Sequence, residues 1–324
     1  MTDARYNVTA MGAYIPEKRL TNFDLERMVE TNDEWIVKRT GIHERAIAAE
    51  NEFASDLAIG AVQEMLDNNP VTLEGVDMVL VTSFVPDHLT PSIAALVQGH
   101  FGIQGAGTFD LHAACTGFVY ALSTASALLT SGQCRKILLI AAEVPTKAVD
   151  FTDRNTCILF GDAAVAMLLE QSDTPRIFAS CFDTDGSVAD MVYCSNVSTT
   201  VNATAVTKDR QIVQNGRLLY EHVVKNVPLG IAKLLGKADF RAEDIEWFVP
   251  HSANLRMIDT ICDRAGIPME KTLTSIEHYG NTSSASIPLA LYLAMKDGRL
   301  KRGDKLVLYG FGGGVTHAGV IMEW

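Results

Sequence analysis

The sequence predicts an α/β fold made of two similar halves within one chain. Its 324 residues suffice for two units of ordinary domain size. Continuous apolar segments of strand length, such as residues 135–143, alternate with segments of helical length, a pattern typical of sheets covered on both faces. Three segments of the first half recur in the second half in the same order, which indicates an internal duplication of about 150 residues.

The three recurring segments are strand-like in both halves. They are residues 75–83 with 243–251, residues 134–140 with 303–309, and residues 161–170 with 317–323. A polar segment at 171–175 separates the halves, so we predict one domain at residues 1–172 and another at 173–324. Such an arrangement places functional groups from both halves at the junction between them.

Apolar periodicity and capping residues predict the elements of the first half. Thr21 starts a helix with a capping-box pattern, and Ser55 is predicted to cap a helix that ends near Asp67. The other predicted elements are strands at residues 6–12, 77–83, 135–143 and 161–170, a helical turn within 31–42, a loop at 86–91 and a helix at 92–101.

The second half continues the alternation after a polar segment. Residues 184–212 carry little helix signal and are predicted to cover the neighbouring surface. Pro228 is predicted to kink a long helix at 217–235. The remaining predicted elements are strands at residues 176–183, 244–249, 304–309 and 315–324, and helices at 253–265 and 283–296.

Bulk composition excludes several classes of protein. Hydrophobic residues make up 48% of the chain and charged residues 20%, as in ordinary globular proteins. The formal net charge of −12 argues against nucleic-acid binding. The first residues lack an apolar signal region, and no uncharged run is apolar enough to span a membrane. Because the sequence shows neither of these features, we expect a cytoplasmic protein with reduced thiols. None of the six cysteines forms a Cys-x-x-Cys pair, so no metal site is expected.

Cys115 is the best candidate for a nucleophile. A strand-like run from Gly107 changes into a helical segment at Thr116, so Cys115 lies at a bend just before a helix N-terminus. Unpaired N–H groups and the helix dipole favour a thiolate there. Small neighbours such as Ala114 and Gly117 leave room for a substrate carbonyl. The alternative is a buried structural cysteine.

Three further segments can complete a site around Cys115. His251 follows a strand and opens a helix, a position suited to acid–base chemistry, although a lone histidine is more often structural. Asn281 lies in a Gly-Asn loop, where its amide either donates to an oxyanion or serves the turn. Residues 310–314 form a glycine-rich turn whose backbone could build an oxyanion hole with the N–H of Cys115. This turn lacks the Gly-Lys-Ser/Thr of a phosphate loop.

An aromatic side chain and two cations occur together in the helical turn near the start of the chain. Trp35, Lys38 and Arg39 are spaced as in a site for an anionic ligand with a stacking surface. A solvated basic turn with one packed tryptophan gives the same pattern. The residues alone leave both interpretations open.

Together these segments resemble the beta-ketoacyl-acyl carrier protein synthase III family of thiolase-like condensing enzymes. The resemblance covers essentially the whole chain, and its several distant motifs occur in the family's order. The matching motifs are residues 33–41, 113–117, 152–155, 160–162, 251–254, 279–283 and 310–314.

The resemblance implies a five-layer αβαβα sandwich, a homodimer and a decarboxylative Claisen condensation that initiates fatty acid synthesis. It implies that Cys115 takes an acyl group from an acyl-CoA while the N–H groups of Cys115 and Gly313 hold the oxyanion. His251 and Asn281 would then bind the thioester oxygen of malonyl-acyl carrier protein and stabilise the enolate formed by loss of CO2. Phe311 would shield the site from water. No cofactor is expected, because the CoA thioester is a substrate.

The resemblance also assigns binding residues. Trp35 and Arg154 would sandwich the CoA adenine, Arg39 and Arg256 would meet phosphate groups, and Asn254 would join the substrate-binding residues. The predicted partners are therefore an acyl-CoA and an acidic acyl carrier protein. The candidates for docking the carrier protein are Arg256, Arg264, Lys225 and Lys38.

The chain departs from the family pattern at four positions. Ser252 stands where glutamine is frequent, His317 where tryptophan is usual, and Glu221 where a cation often lies near the carrier-protein doorway. Thr90 replaces a phenylalanine in the loop that closes the acyl pocket of the partner subunit. A smaller residue deepens that pocket, so we expect primers larger than acetyl, such as branched or medium-chain acyl groups.

Other activities of the same residues stay open at this point. A thiolase is disfavoured, because residues 310–314 contain no second cysteine. A specialised-metabolism condensing enzyme with an unusual primer or a CoA-bound extender would carry the same motifs. A cysteine acyl-CoA thioesterase would use Cys115 and His251 but would release free acid without a malonyl partner.

Overall fold

The computed structural model describes residues 4–324, so the first three residues of the N-terminal stretch that lacks an apolar signal region lie outside the described part. The strands are β1 (Ala4–Tyr14), β2 (Arg19–Thr21), β3 (Glu44–Ala46), β4 (Met78–Thr82), β5 (Gly107–Leu111), β6 (Lys136–Glu143), β7 (Ala163–Thr184), β8 (Val192–Cys194), β9 (Thr200–Val201), β10 (Thr204–Ala205), β11 (Ile212–Gln214), β12 (Trp247–Pro250), β13 (Lys305–Gly312) and β14 (Thr316–Glu323). The helices are α1 (Asn22–Glu26), α2 (Asp33–Thr40), α3 (Ala54–Asn68), α4 (Ile93–Phe101), α5 (Gly117–Thr130), α6 (Arg154–Cys157), α7 (Gly216–Ala238), α8 (Leu255–Ala265), α9 (Ile276–Tyr279) and α10 (Ser286–Lys296).

The strand pairings of the two halves repeat each other. In the first half β4 pairs in parallel with β5 and β6, and β6 pairs antiparallel with β7. In the second half β12 pairs in parallel with β13, and β13 pairs antiparallel with β14. The three segments that recur in the sequence therefore occupy equivalent places, with β4 matching β12, β6 matching β13, and the start of β7 matching β14.

Strand β7 joins the two halves. Its residues 163–170 pair with β6, and its residues 177–184 pair with β14. The polar segment at 171–175, predicted to separate the halves, lies within this strand and is extended. This single strand changes partner from β6 to β14 and hydrogen-bonds the strands of both halves into one continuous eight-stranded network. The domain boundary at 172/173 stays a prediction.

The elements stack in five layers. Helices α5 and α10 form the middle layer, and both contribute to one apolar core that lies between the sheets. Helices α3 and α4 cover the outer face of the first sheet, and α7 and α8 cover the outer face of the second. Strand β6 shows why its sequence is continuously apolar: Leu139 faces the middle layer, whereas Leu138 and Ile140 face α3 and α4.

Two predicted helix starts have different outcomes. The Thr21 hydroxyl accepts the N–H of Asp24, and the Asp24 carboxylate accepts the N–H of Thr21, which confirms the predicted capping box of α1. The prediction that Ser55 caps α3 is wrong, because Ser55 lies inside the first turn. Phe53 occupies the cap position, and its N–H donates to Asp56 at 2.9 Å. The acidic residue of the first turn thus replaces a capping hydroxyl.

Helix α7 continues through Pro228 instead of ending there. Proline has no N–H, so the carbonyl of Val224, four residues earlier, loses its helical donor. Arg264 of α8 supplies the replacement, because its Nη1 donates to Val224 O at 2.7 Å. Arg264, a candidate for carrier-protein docking, therefore also holds α8 against α7.

We expect Arg264→Met to lower the free energy of unfolding by about 1–2 kcal/mol, because it leaves the Val224 carbonyl without a donor. In a Pro228→Ala background the alanine N–H can bond that carbonyl, so the same substitution should cost less than about 0.5 kcal/mol. Urea unfolding at one fixed protein concentration measures both costs. Equal costs in the two backgrounds would refute the proposed compensation.

Candidate active site

A cavity of about 940 Å³ opens between the two halves. Cys115, His251 and Asn281 all line it, so the fold brings the three predicted catalytic side chains into one space. The cavity extends from the protein surface, where Arg39 is exposed, to an inner end at which His251 and Asn281 are buried. The polar segment at 184–212, predicted to cover a surface, forms part of the wall.

Cys115 lies in a one-turn 3-10 helix between β5 and α5. Ala114 has φ of +44°, a backbone region that residues with a side chain rarely adopt. Gly312 approaches so closely that a β-carbon there would lie 2.9 Å from Cys115 Sγ. Ser283 and Val315, which flank the same cavity wall and glycine turn, also have positive φ, at +51° each. Backbone strain is therefore concentrated around the thiol, as is typical of functional sites.

The environment of the Cys115 thiol opposes its ionisation. Burial raises its pKa to about 11, and the negative charge of Glu143 acts in the same direction. Hydrogen bonds from Ser283 and from the N–H groups of Gly313 and Cys115 lower the pKa but do not outweigh burial. The expectation of a thiolate at this helix N-terminus is therefore not met, because the raised pKa keeps the thiol protonated at neutral pH. Both N–H groups thus lie close enough to the sulfur to act on it.

His251 is neutral, and its protonation pattern follows from its neighbours. Burial lowers its pKa to about 3, against a weaker opposing effect of the Ser283 backbone. Ser286 Oγ accepts the N–H of Ser252 at 3.2 Å and lies 2.7 Å from His251 Nδ1. We assign the Ser286 hydroxyl as donor to Nδ1, which leaves the ring proton on Nε2. The edge-to-face contact with Phe311, 5.3 Å between ring centroids, helps to fix the ring.

Asn281 is held by its backbone and by one side of its amide. Its N–H donates to Leu159 O at 2.8 Å, and its carbonyl accepts the N–H of Gly161 at 3.1 Å. Its side-chain Oδ1 accepts the N–H of Ser283 at 2.9 Å. Because Oδ1 is engaged, the Nδ2 group is the part of the amide that can donate into the cavity.

The cavity therefore offers a protonated thiol, two backbone N–H groups and two neutral side-chain donors. Gly313 and Cys115 supply the backbone donors, and His251 and Asn281 supply the side-chain donors. Neutral donors stabilise a charge that develops on an oxygen without giving up a proton to it. This arrangement suits covalent acyl transfer to sulfur followed by formation of an enolate.

The mouth of the cavity carries cations around Trp35. The guanidinium of Arg39 lies 4.8 Å and that of Arg154 lies 5.1 Å from the centroid of the Trp35 rings. Arg154 Nη1 also donates to Glu30 O at 2.9 Å. A ring inserted between two surfaces needs about 7 Å between them, twice a van der Waals contact. An adenine sandwiched between Trp35 and Arg154 therefore requires one of them to move.

The other predicted binding residues lie at different distances from the cavity. Asn254 lines it and has a structural role, because its Nδ2 donates to Arg39 O at 3.0 Å and its Oδ1 accepts the Met257 N–H. Arg256 is exposed and also lines it. Thr90 is exposed and does not contribute to this cavity within the same chain. The predicted docking residues that do not line the cavity are Arg264, Lys225 and Lys38.

Two residues near the thiol were not predicted from the sequence. Ser283, expected only as part of a helix start, directs its Oγ to Cys115 Sγ at 3.7 Å. Glu143, seen only as the end of an apolar strand, is fully buried beside Ser284. A carboxylate at the end of an otherwise apolar buried strand was the available signal for Glu143.

Among residues 4–324, no group of three or more histidine, cysteine or acidic side chains is arranged to hold a metal ion. No described helix combines the length and apolar character needed to cross a membrane.

Comparisons with known proteins agree with the resemblance seen in the sequence. Models of the 3-oxoacyl-[acyl-carrier-protein (ACP)] synthase III family match residues 109–186 and, for its C-terminal part, residues 235–324. A beta-ketoacyl-[acyl-carrier-protein] synthase III 2 of Halalkalibacterium halodurans is 50% identical over 325 residues, covering 100% of this chain and 98% of the relative. Its namesake in Bacillus cereus is 49% identical over 322 residues, covering 99% and 98%. The crystal structure of a beta-ketoacyl-[acyl carrier protein] synthase III from Thermus thermophilus has a TM-score of 0.93 at 42% identity, covering 98% and 99% of the two chains.

In the absence of substrate we expect slow alkylation of Cys115 by iodoacetamide at pH 7, because a thiol with a pKa of about 11 is almost wholly protonated. The rate should rise about tenfold per pH unit between pH 7 and pH 9. Mass spectrometry of the Cys115 peptide measures it, and a short peptide thiol, whose rate levels off near pH 8.5, is the control. A Cys115 rate that has already levelled off at pH 8 would contradict the raised pKa.

Proposed function

The chain belongs to the beta-ketoacyl-[acyl-carrier-protein] synthase III family, whose members initiate fatty acid synthesis by condensation, and we propose that it joins an acyl-CoA primer to malonyl-acyl carrier protein. The observation that carries this proposal is the convergence of Cys115, His251 and Asn281 on one cavity. The products are a 3-oxoacyl-acyl carrier protein, CO2 and CoA.

In the first half-reaction Cys115 attacks the thioester carbonyl of the primer and forms an acyl-cysteine. The N–H groups of Gly313 and Cys115 hold the oxyanion of the tetrahedral intermediate. Collapse of that intermediate expels the CoA sulfur, and the proton lost from the Cys115 thiol balances this step, so that CoA leaves as the thiol. Trp35 and Arg39 at the mouth offer a stacking surface and a positive charge to the nucleotide part of CoA.

In the second half-reaction malonyl-acyl carrier protein enters the acylated site. His251 Nε2–H and Asn281 Nδ2–H donate to its thioester oxygen, so the electrons released by the breaking carbon–carboxylate bond collect on that oxygen as an enolate. The enolate carbon attacks the acyl carbon on Cys115 and expels the cysteine thiolate. One carbon–carbon bond forms, one carbon–sulfur bond breaks, and CO2 leaves.

The same geometry favours condensation over thioester hydrolysis. A cysteine thioesterase needs a base to activate water for deacylation. His251 has a pKa of about 3 and carries its proton on Nε2, which makes it a poor base and a good neutral donor. Phe311 packs its ring edge-to-face against His251 and limits access of water to this side of the cavity.

We propose that two copies of the chain pair through β5 and the loop at 86–91. Strand β5 ends the described sheet and pairs on one side only, with β4. The loop carries Leu89, whose surface is 78% exposed, next to Thr90. An open strand edge beside an exposed apolar side chain fits a homodimer interface. Thr90 of one copy would then border the acyl pocket of the other and permit primers larger than acetyl.

The carrier protein would dock at the exposed mouth. Because the whole chain carries a net charge of −12, an acidic partner requires a local group of cations. Arg256 lines the mouth and is exposed, and Lys225 is exposed on α7. Glu221, which also lines the mouth, forms an ion pair with Arg217 at 3.0 Å, so its charge is compensated. The docking patch that we propose consists of Arg256 and Arg264 on α8 with Lys225 on α7.

We expect His251→Ala and Asn281→Ala to separate the two half-reactions. Neither side chain is needed to form the acyl-cysteine, so acylation of Cys115 should stay within about threefold of the wild type. Each substitution removes an enolate donor and should lower the rate of decarboxylation and product formation by about 100-fold or more. Quenched-flow mass spectrometry of the protein follows acylation, and release of CO2 follows the second step.

Cys115→Ser is the reference variant, since it should abolish acylation in the same experiment. Loss of acylation in His251→Ala equal to the loss of condensation would mean that His251 serves the first step. Unchanged CO2 release in both variants would remove the two donors from the proposed mechanism.

We expect Thr90→Phe to shift primer selectivity towards acetyl-CoA, because the larger ring fills the pocket that Thr90 leaves open in the partner subunit. The measurement is the ratio of kcat/KM for a branched five-carbon acyl-CoA to that for acetyl-CoA, which should fall by about tenfold or more. Thr90→Ser is the matched control and should leave the ratio within about twofold. An unchanged ratio in Thr90→Phe would rule out Thr90 as the selectivity residue.

A further inference from the structure

The two backbone donors of the proposed oxyanion hole come from different halves of the chain. The turn at 113–116 carries the N–H of Cys115, and the turn at 313–315, which connects β13 to β14, carries the N–H of Gly313. Two donors stabilise one oxyanion only when their relative positions are fixed. The hole therefore depends on the interactions that hold these two turns together.

Both turns have backbone conformations that their residues disfavour. Ala114 has φ of +44° in the first turn, and Val315 has φ of +51° in the second. The turns are also packed tightly, since a β-carbon at Gly312 would lie 2.6 Å from the β-carbon of Cys115. Contacts between the turns must compensate for this local strain.

The hydroxyl groups of Thr116 and Thr316 connect the two turns. Their Oγ1 atoms lie 2.8 Å apart, although the two residues are 200 positions apart in the chain. Thr116 Oγ1 also lies 2.5 Å from Ala113 O, and a carbonyl oxygen can only accept, so the Thr116 hydroxyl donates there. Thr316 is therefore the donor in the hydrogen bond between the two hydroxyls.

The side chain of Thr116 serves this contact and not its own helix. Thr116 occupies the N-cap position of α5, where a threonine hydroxyl ordinarily accepts an N–H of the first turn, yet it makes no capping bond. Its N–H and its hydroxyl both donate to Ala113 O, at 3.1 Å and 2.5 Å, and close the turn that contains Cys115. Thr116 is fully buried, which strengthens these hydrogen bonds.

We propose that the hydrogen bond from Thr316 to Thr116 sets the distance between the two oxyanion donors, which makes both threonines positioning residues. Thr116 follows Cys115 directly, and Thr316 follows the turn of Gly313 and lies opposite Gly312 in the pairing of β13 with β14. Neither threonine lines the cavity, so both act through the backbone of the adjoining turn. This inference rests on the proposed condensing function and adds the residues that align its oxyanion donors.

The bridge between the hydroxyls bears on only part of the proposed reaction. A tetrahedral intermediate forms twice at the carbon bonded to Cys115, once during acylation and once when the enolate attacks the acyl-cysteine. Each intermediate places an oxyanion between the two backbone donors. The loss of CO2 places its charge on a different oxygen, which His251 and Asn281 hold. Loss of the bridge should therefore slow acylation and carbon–carbon bond formation but not decarboxylation.

The first test compares Thr116→Val with Thr116→Ser, using the rate of Cys115 acylation by acetyl-CoA and by 3-methylbutanoyl-CoA in the full-length protein. Valine keeps the shape of the side chain without its hydroxyl, whereas serine keeps the hydroxyl. We expect Thr116→Val to slow acylation by about tenfold or more and Thr116→Ser by less than about threefold. Thr124→Val is the matched control, because it removes another hydroxyl of α5, which donates to Tyr120 O at 2.8 Å, and its rate should stay within about threefold of the wild type.

The substitution leaves no buried polar group without a partner. In Thr116→Val the Ala113 carbonyl keeps the N–H of residue 116, and the Thr316 hydroxyl can turn to Gly313 O, 3.4 Å away. The midpoint of urea unfolding should therefore shift by less than about 0.5 M.

Thr316→Val removes the same hydrogen bond from its other end, where the side chain is only half-buried. It should slow acylation by a factor similar to that of Thr116→Val. The double variant should be at most about twofold slower than either single variant, because all three lose the same hydrogen bond. Thr316→Val decides the question by itself if Thr116→Val does not fold.

The products of the second half-reaction separate positioning from general damage to the site. When malonyl-acyl carrier protein meets acylated Thr116→Val, we expect CO2 release within about threefold of the wild-type rate but slower attack of the enolate on the acyl-cysteine. The enolate that does not attack takes a proton from water and becomes acetyl-acyl carrier protein. Mass spectrometry should show the ratio of acetyl- to 3-oxoacyl-acyl carrier protein rising by about fivefold or more.

The outcomes distinguish this inference from the function beneath it. Acylation of Thr116→Val within about threefold of the wild type would overturn the positioning role and leave the condensing function intact. Equal losses of acylation and CO2 release, or losses that multiply in the double variant, would also overturn it. Failure of the wild type to take an acyl group from either acyl-CoA would overturn the proposed function and this inference together.

Discussion

Buried charges that are bonded to neutral groups hold this site in place. Glu143 and Asp162 are fully buried carboxylates, and Arg45 is a fully buried guanidinium. A buried charge is tolerated only when its hydrogen-bonding positions are filled, so each of these groups fixes the segments that fill them. Glu143 is hydrogen-bonded to residues 84 and 284, and Asp162 to residues 48 and 146. Arg45 is hydrogen-bonded to residues 20, 22 and 158. Segment 158–161 in turn bonds the backbone of Asn281.

This framework explains why the site works with neutral groups. The thiol of Cys115 and the ring of His251 are both kept uncharged by burial, and hydrogen-bond donors surround the positions where the proposed mechanism would develop charge. The backbone around the thiol is strained, because Ala114, Ser283 and Val315 adopt positive φ there. A site that moved freely would relax these residues and lose the alignment of its donors.

Much of this architecture was predictable because it depends on periodicity and local motifs. The duplicated strands, the capping box at Thr21 and the strand-end or loop positions of Cys115, His251 and Asn281 carry local signals in the sequence. Features that depend on tertiary contacts have no such local signal in the sequence. Burial, not the helix terminus, determines the state of Cys115, and the continuity of β7 depends on its partners in two sheets. The sequence indicated Arg264 only as a docking cation. Its hydrogen bond to the carbonyl of Val224, which Pro228 leaves without a helical donor, depends on the packing of α8 against α7.

The most direct test of the central claim is the intact mass of the wild-type protein, first with a panel of acyl-CoAs and then with malonyl-acyl carrier protein. The account predicts an acyl adduct on Cys115 that persists until the malonyl partner discharges it as a 3-oxoacyl product. Rapid discharge to free acid without that partner would contradict it and indicate a thioesterase. The absence of an adduct from every acyl-CoA would contradict the use of CoA primers and indicate a different acyl donor.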